Sequence, residues 1–587
     1  MADSGPTTLS SRFASFNPFS RSTGKTDADD LGEKIDSSTI AGGVHGSYLS
    51  DITSEQLRVS HALRSFLVHH NVLSKDEAGL HDPNQLTESL RALLDKPHIN
   101  VPSAITDRSH PLPEYFISSS HNTYLVAHQL YGTSSAKAYE TALNTGSRCV
   151  EIDAWDGEDD EEEPKVTHGY TLVSHITFRS VCETIRDVVD REATLAANQA
   201  DYRPSPVLLS LENHCEAHGQ QRLVKVMKQV WGDRLLSEAV RRKGHTEQEG
   251  STNHVRLEDL GSKIAVIVEY HLPDEPQDDD SSSSDDEDEK AKQAHKEYNE
   301  KKKATPATII IPELAELGVY AQSVKPKDNS WFGEVGIKDG PHHHLINISE
   351  SALRAHMPAE TDKIARHNAQ HLMRVFPKGT RISSENLNPV PFWGLGAQIC
   401  ALNWQTFGAG LQLNQALFSR TEGFVLKPAA LRPGGSGKLT TGRRKRLRLH
   451  VAGASDIPIP EGRQAHDIKP YISCTLIHPD DLDQDPAKRK TTPYKHHKLA
   501  FLHEGENPPA TDPVWQETLE WEYGDNELVF LRMLIKSDDS YSRNPIFAVA
   551  AVRLMYVAPG WSFVRMLDLR GRETRCTLLV RFEIEDV

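Results

Sequence analysis

Several acidic and polar side chains follow apolar runs in the first half of the chain, and their types suit metal-assisted chemistry. Glu151 and Asp153 stand two apart in CVEIDAW, so on a strand both carboxylates point to the same face. Glu212 closes a second apolar run, PVLLSLEN, and His121 and Asn122 directly follow YFISSS. Three carboxylates and one amide are oxygen donors, which favour calcium or magnesium over zinc.

Two histidines are candidates for proton transfer beside such a metal. His121 precedes Asn122, and His168 lies in the segment THGYT. Imidazoles next to a metal suit proton transfer and the stabilisation of charge on a phosphate. A lone histidine is usually structural and a lone Glu–x–Asp is usually on the surface, so the prediction of a site rests on the whole set.

The elements that must position these residues alternate between strands and helices. Residues 111–272 show this alternation, and it resumes after residue 305, which predicts a parallel sheet covered by helices. Neither half has enough strands to close, so we interpret both as one (β/α)₈ barrel split by an insertion. The candidate residues lie at or just beyond the carboxyl ends of predicted strands, where such a barrel builds its active site.

The predicted fold class is multidomain, an α/β split TIM barrel followed by a β-sandwich. Short strands with turn signals and no helical pattern predict a sandwich of about eight strands over residues 443–587. We expect six segments: a disordered tail (1–50), a helical region (51–110), two barrel halves (111–272 and 306–432) with an acidic disordered linker between them (273–305), and the sandwich.

Composition excludes several classes of protein. The chain has 587 residues with 83 acidic and 66 basic side chains, a net charge of −17 that argues against a globally basic nucleic-acid binder. No apolar run reaches the ~18 residues of a membrane span, and the N-terminus lacks the apolar core of a secretory signal. Six scattered cysteines without a CxxC pair predict buried thiols in a reducing compartment.

The acidic excess is concentrated in two blocks, which predict solvated loops. Residues 158–163 read EDDEEE and residues 274–289 read DEPQDDDSSSSDDEDE, without a base in either block. Without these blocks the chain is close to neutral.

Long segments of the chain resemble the X and Y boxes of the eukaryotic phosphoinositide-specific phospholipases C. They are SSSHNTYL, RCVEIDAWDG, HGYTL and VLLSLENHC, then ELGVYAQSVK, NPVPFWGLGAQICALNWQT and GFVLKPAALR. The order of X box, acidic linker, Y box and C2 domain resembles the delta type without its pleckstrin-homology domain. The resemblance implies a split TIM barrel, a C2 sandwich and a degenerate EF-hand-like helical region.

The resemblance also implies a calcium-dependent cleavage of phosphatidylinositol lipids to diacylglycerol and inositol phosphate through a cyclic phosphodiester. It makes Glu151 the base for the inositol 2-hydroxyl, while His121 and His168 stabilise the phosphate and protonate the leaving oxygen. The implied ligands of the catalytic calcium ion are Asn122, Glu151, Asp153 and Glu212.

Recognition of the lipid head group departs from the family pattern. Arg374 matches the phosphate-binding arginine, Phe376 replaces the tyrosine that packs on the inositol ring, and Asn347 replaces a serine donor. Ile267 and Glu269 stand where the family carries a Lys–x–Lys pair for the 4- and 5-phosphates. We therefore expect a reduced preference for the 4,5-bisphosphate, with a shift towards phosphatidylinositol or its monophosphate.

The expected partners are phosphoinositide lipids at a peripheral membrane surface, and we expect a cytoplasmic monomer that associates reversibly with membranes and binds no nucleic acid. A glycerophosphodiester phosphodiesterase and a catalytically weak lipid-binding scaffold are the alternatives. We interpret the linker as a lid over the site, a surface spacer being the other interpretation, and His342–His344 as a loop of solvated histidines rather than a metal site.

Overall fold

The structure is a computed structural model, and it describes most of the chain. The described residues are 52–82, 85–126, 133–157, 163–169, 174–199, 202–240, 255–272, 309–333, 337, 340–378, 385–460, 462–482, 486–496, 507–538 and 545–587. The predicted tail (1–50) and acidic linker (273–305) lie outside them, and so does most of the block at residues 158–163. The predicted domain boundaries stay predictions.

Eight parallel strands in the described part of the chain form the barrel. They are β1 (Tyr115–Ile117), β3 (Cys149–Trp155), β6 (Val207–Asn213), β7 (Ile264–Glu269), β8 (Gln322–Val324), β9 (His344–Ser349), β10 (Leu372–Phe376) and β11 (Ile399–Cys400). Hydrogen bonding runs in the order β1-β11-β10-β9-β8-β7-β6-β3, and a parallel bridge between Ser119 and Cys149 joins the two ends of this row.

Five short strands lie beside this ring: β2 (Ser120–His121), β4 (Lys165–Val166), β5 (Ile176–Thr177), β12 (Leu402–Asn403) and β13 (Phe424–Leu426). The pair of β2 and β12 continues the barrel wall beyond β1 and β11 and places His121 opposite Asn403. A single interior cluster contains apolar side chains from most of the barrel strands, including Leu208, Ile267 and Ile399. The barrel is therefore a filled core whose polar chemistry is confined to its ends.

Helices cover the outside of the barrel. They are α3 (Lys137–Asn144), α4 (Phe178–Asn198), α5 (Ala217–Trp231), α6 (Leu257–Leu260), α7 (Pro312–Ala315), α8 (Glu350–Arg354), α9 (Thr361–Asn368), α10 (Val390–Gly394) and α11 (Ala409–Phe418). The longest, α4, begins at Thr177, whose hydroxyl accepts a hydrogen bond from the Ser180 amide, and it buries Val181, Ile185 and Val188 on one face.

The C-terminal part of the chain is an antiparallel β-sandwich of C2 type. Its strands are β14 (Arg444–Ser455), β15 (Pro470–Ile477), β16 (Lys488–Lys490), β17 (Val514–Gly524), β18 (Phe530–Ser537), β19 (Ile546–Arg553), β20 (Trp561–Leu567) and β21 (Glu573–Asp586). They hydrogen-bond in the order β16-β15-β18-β19-β20-β21-β14-β17. The predicted fold class, a TIM barrel followed by a C2 sandwich, is confirmed.

Two N-terminal helices, α1 (His61–His69) and α2 (Glu88–Asp95), pack on the sandwich rather than on the barrel. The loop between them is organised by a buried guanidinium. Arg64 Nη1 donates to the backbone carbonyls of Ala78, Gly79, Asp82 and Gln85 at 2.9–3.3 Å. A permanent side-chain cation thus satisfies the carbonyls that converge inside this helical pair.

The histidine run before β9 differs from its prediction. His343 and His344 are buried, and the His344 Nε2 lies 2.9 Å from the His367 Nε2. The rings of His344, His367 and His371 stack on one another with centroids 3.9–5.2 Å apart. The expectation of a solvated loop was wrong, because the run enters a barrel strand and its rings pack beneath α9.

Candidate active site

The carboxylates of the candidate site are placed by the register of two neighbouring parallel strands. Glu151 in β3 pairs with Ser210 in β6, and Asp153 pairs with Glu212 two residues later. Since side chains alternate along a strand, these three acids point to the same side, at the carboxyl ends of the strands. The side chains of Glu151 and Asp153 are buried, whereas that of Glu212 is 35% exposed.

A tight turn after β2 brings Asn122 onto these acids. Asn122 has a positive φ of 42°, a conformation that asparagine tolerates better than most residues. Its backbone amide donates to Glu151 Oε2 at 2.6 Å, and its carbonyl accepts from Gln405 Nε2 at 3.2 Å. The turn therefore fixes both Asn122 and the neighbouring His121 against β3.

Tyr124 orients the second acid and leaves one of its oxygens without a partner. The Tyr124 hydroxyl donates to Asp153 Oδ2 at 2.7 Å and lies 3.2 Å from Asn122 Oδ1. Asp153 Oδ1 is buried and has no hydrogen-bond partner among the described residues. A buried, unsatisfied carboxylate oxygen beside other carboxylates is a place for a cation.

Arg374, at the carboxyl end of β10, is the guanidinium that faces these acids. Its Nη2 forms a very short ion pair with Glu151 Oε1, and its Nη1 lies 3.8 Å from Glu212 Oε1. The same Nη1 donates to Asn347 Oδ1 at 3.0 Å, since Arg374 and Asn347 are register partners on β10 and β9. The guanidinium also lies 5.8 Å from the centre of the Phe376 ring.

The acids hold their protons unequally. Burial, only partly offset by Arg374, raises the pKa of Glu151 to about 8. Burial and the neighbouring Glu212 and Glu151 raise the pKa of Asp153 well above its usual value. Although burial alone would raise it, the pKa of Glu212 falls to about 2 because Arg374 and a hydrogen bond with Glu151 stabilise its charge.

His121 has a defined tautomer. Asn403 Nδ2 donates to the Glu385 carbonyl at 3.1 Å, so Asn403 Oδ1 is the atom that faces His121 Nδ1 at 2.9 Å. Nδ1 therefore carries the proton and Nε2 remains for a ligand. Burial, with Arg374 and His168 adding to it, lowers the pKa of His121 to about 3, so its imidazole is neutral.

One group of three side chains in the described chain has the geometry to hold a metal ion. Ligand atoms of Asp153, Glu212 and His214 all lie within 4.8 Å of one another. Glu151 stands outside this triplet because its carboxylate is engaged by Arg374 and the Asn122 amide. The His214 ring stacks on Trp155 with centroids 4.1 Å apart.

Strand β7, which pairs with β6, carries the two residues that depart from the family pattern. Ile267 is buried in the barrel interior, one layer below the rim. Glu269 lies at the rim, where its Oε2 accepts from the Asn213 amide at 3.1 Å. Burial and the nearby Glu212 raise the pKa of Glu269 to about 7.

The structure brings the predicted site residues together at the carboxyl end of the barrel, while their individual roles stay predictions. Sequence reasoning missed Tyr124, Asn403 and His214 as parts of the site. Each lies in a segment that carries the family resemblance, SHNTYL, LNWQT or LENHC, but only the fold shows which partner each residue meets.

Comparison with family models gives two matches within the barrel. The X domain of phosphatidylinositol-specific phospholipase C matches residues 108–270, and the Y domain of the same family matches residues 314–430. The two matches flank the region of the predicted acidic linker.

Among curated proteins, the chain is similar to 1-phosphatidylinositol 4,5-bisphosphate phosphodiesterases. It is 29% identical to delta-1 of Rattus norvegicus over 82% of this chain and 61% of the relative, and 30% identical to the enzyme of Dictyostelium discoideum over 82% and 59%. It is 31% identical to delta-3 of Mus musculus over 82% and 58%. The chain thus spans about three fifths of the length of these relatives.

Among solved structures, PLC21 of L. pealei has a similar fold, with a TM-score of 0.65 and 22% identity, over 94% of this chain and 67% of that one. PLC21 of S. officinalis gives the same TM-score and identity. With its X and Y domains, its barrel-and-sandwich architecture and its relatives, the chain belongs to the eukaryotic phosphoinositide-specific phospholipase C family and is delta-like.

Proposed function

We propose that this protein is a calcium-dependent phospholipase C that cleaves phosphatidylinositol lipids to diacylglycerol and inositol phosphate through a cyclic phosphodiester. The observation that carries the proposal is the acidic cluster at the carboxyl end of the barrel, with two histidines beside it and an unsatisfied oxygen on Asp153. The activity for which the relatives are named, that of a phosphatidylinositol 4,5-bisphosphate phosphodiesterase, supports the same reaction class.

The residues present fit a calcium ion. Asn122, Glu151, Asp153 and Glu212 would hold it, because carboxylate and amide oxygens are the ligands that calcium prefers and Asp153 Oδ1 has no hydrogen-bond partner in the part of the chain that the structure describes. When bound, the ion lowers the pKa of the inositol 2-hydroxyl and offsets charge on the phosphate. His214 adds a nitrogen at the edge of this set, which a hard cation does not require.

The side chains divide the remaining work. Glu151 accepts the proton of the 2-hydroxyl, a role that suits a carboxylate that is ionised beside Arg374 and the proposed calcium ion. The 2-oxygen attacks the neighbouring phosphorus, and the bond to diacylglycerol breaks. His121, held by Asn403, takes up a proton at Nε2 when the anionic phosphate lies beside it. His121 and His168 then stabilise the phosphate and protonate the leaving oxygen, and water opens the cyclic phosphate.

We propose that Arg374, Phe376 and Asn347 bind the inositol head group. Arg374 supplies a guanidinium for a phosphate, Phe376 supplies an apolar ring face, and Asn347 keeps an amide nitrogen after accepting from Arg374. With Ile267 and Glu269 in place of two lysines, preference for the 4,5-bisphosphate is reduced.

The protein is proposed to act as a cytoplasmic monomer at the membrane surface. Within the described residues, the helices are too short or too polar to cross a bilayer. The acidic linker is proposed as a lid, and deletion of residues 273–305 is expected to raise basal hydrolysis.

The test is product analysis on vesicles that contain phosphatidylinositol, with the protein and its His121→Ala variant. We expect diacylglycerol and inositol phosphates from the unmodified protein and a loss of at least about a hundredfold in the variant. Release of glycerol phosphate species without diacylglycerol would instead indicate a glycerophosphodiester phosphodiesterase. Binding to the vesicles without any product would indicate a scaffold.

A further inference from the structure

The row of charged side chains at the rim continues from the metal cluster onto the next strand, β7. Strand register carries the row of Asp153 and Glu212 on to β7, because Ser210 pairs with Ile267 and the next inward position is Glu269. Three carboxylates therefore follow one another on adjacent strands around the rim.

The next strand supplies a cation to this row. Glu269 pairs with Ser323 on β8, and Lys325 follows two residues later, directly after the strand ends at Val324. Lys325 is half-buried and acts electrostatically on both Glu269 and Glu212. Beyond it, Asn347 and Arg374 complete the rim on β9 and β10.

The charges on this rim define what a ligand meets there. Four carboxylates, those of Glu151, Asp153, Glu212 and Glu269, face two fixed cations, Lys325 and Arg374. Acidic groups therefore outnumber basic groups along this row. A head group with several phosphates would bring negative charge against Glu269, which the Asn213 amide holds in place at 3.1 Å.

A carboxylate at the rim is well suited to a different ligand group. Ionised carboxylates accept strong hydrogen bonds from hydroxyls, which a ring carries wherever it is not phosphorylated. Ile267 is buried in the interior and offers no polar group to a phosphate or to a hydroxyl.

We propose that Glu269 and Lys325 are specificity-determining residues that select a phosphatidylinositol head group with at most one ring phosphate. Glu269 accepts hydrogen bonds from free ring hydroxyls and repels a phosphate at its position, while Lys325 together with Arg374 accommodates a single phosphate. This inference rests on the proposed function and names its substrate class.

The test is hydrolysis of three lipids presented in otherwise identical vesicles: phosphatidylinositol, its 4-phosphate and its 4,5-bisphosphate. The unmodified protein is expected to prefer the first two. Glu269→Lys should raise the ratio of bisphosphate to phosphatidylinositol hydrolysis about tenfold or more, since a repulsive charge becomes an attractive one. Lys325→Gln should lower the ratio of monophosphate to phosphatidylinositol hydrolysis.

Glu313→Lys is the matched control, because it makes the same change in charge at an exposed position on α7, outside the site. An equal change of ratio in this control, or an unchanged ratio in Glu269→Lys, would overturn the inference. If Glu269→Lys does not fold, as judged by circular dichroism, Glu269→Gln should shift the ratio in the same direction by a smaller factor, and no shift would count against the inference.

The same assay separates the two proposals. Hydrolysis of phosphatidylinositol with a strong preference for the bisphosphate would refute the specificity of Glu269 and Lys325 and leave the phospholipase activity standing. Absence of diacylglycerol from all three lipids would refute the proposed function and the inference with it. Calorimetric titration with soluble inositol 1,4,5-trisphosphate adds a readout without turnover, and Glu269→Lys should bind it more tightly.

Discussion

The two ends of the barrel both bury polar side chains, but they treat them in opposite ways. At the amino end, Lys427 is fully buried and donates to the Asn368 carbonyl at 2.9 Å, and the Gln398 amide reaches three backbone carbonyls. At the carboxyl end, like charges crowd together and Asp153 Oδ1 has no partner in the described structure. At the amino end the buried polar groups form internal hydrogen bonds, whereas at the carboxyl end some of them remain available to a ligand.

This difference separates stability from function within one fold. Burying an unpaired carboxylate costs free energy, and such sites persist where a bound ligand compensates the charge. Satisfied buried amides instead stabilise the closure of the barrel. Substitutions at the two ends should therefore have opposite effects on activity and on stability.

The largest expected effect is the loss of activity in Asp153→Asn. The substitution removes one negative charge from the set of calcium ligands and so weakens calcium binding, and hydrolysis should fall by at least about a hundredfold. The melting temperature without calcium should stay the same or rise, because like-charge repulsion is relieved. Vesicle hydrolysis and a thermal melt measure the two quantities, and a large loss of stability would contradict this separation of the two ends.

Gln398→Ala should produce the reverse result at the amino end. Gln398 Oε1 accepts from the Met373 amide at 2.9 Å, and its Nε2 lies 2.6 Å from the Asn368 carbonyl. Truncation leaves several buried backbone groups unsatisfied, so the free energy of unfolding should fall by about 2–3 kcal/mol. Urea denaturation measures this loss, while hydrolysis per folded molecule should remain near that of the unmodified protein.

The smallest expected effect is a pH dependence that comes from the stacked histidines. Burial lowers the pKa of His344 to about 4 and that of His367 to about 3, both below the unfolded value near 6.5. The unfolded chain therefore takes up protons first, and stability should fall as the pH drops below about 6.5. At pH 6.0 the two residues together should cost about 1.5 kcal/mol relative to pH 7.5.

Melting curves at the two pH values test this dependence. The double variant His344→Gln, His367→Gln should be less sensitive to pH than the unmodified protein, even if it is less stable at pH 7.5. An identical pH dependence in both proteins would show that other groups are responsible.

Sequence reasoning predicted the barrel, the sandwich and most of the site, because strand and helix periodicity is a local signal and the site residues end strands. It could not predict Asn403 as the partner of His121, since the two residues are 282 positions apart and meet only when β2 pairs with β12. It was also wrong about the burial of His343 and His344. A run of three histidines is polar by composition, but here its burial depends on helix α9, which packs over the start of β9.

The position of Lys325 at the rim could not be predicted from the sequence either. A lysine just after a short strand reads as an ordinary surface residue, and nothing local relates it to Glu269 or Glu212. The pairing of β7 with β8 brings these charges onto one rim. Lys325 ends ELGVYAQSVK, a segment that carries the family resemblance, but only the pairing of the strands shows which charges it meets.

The claim that the acidic cluster at the carboxyl end of the barrel is a catalytic calcium site has a direct test. It is the rate of inositol phosphate release from phosphatidylinositol vesicles as free calcium is varied. In the presence of a calcium chelator we expect no hydrolysis. Hydrolysis should rise with added calcium in the unmodified protein, and calcium at the same concentrations should not restore it in Asp153→Asn. Full hydrolysis in the chelator, or an Asp153→Asn variant as active as the unmodified protein, would contradict the assignment of this acidic cluster as a catalytic calcium site.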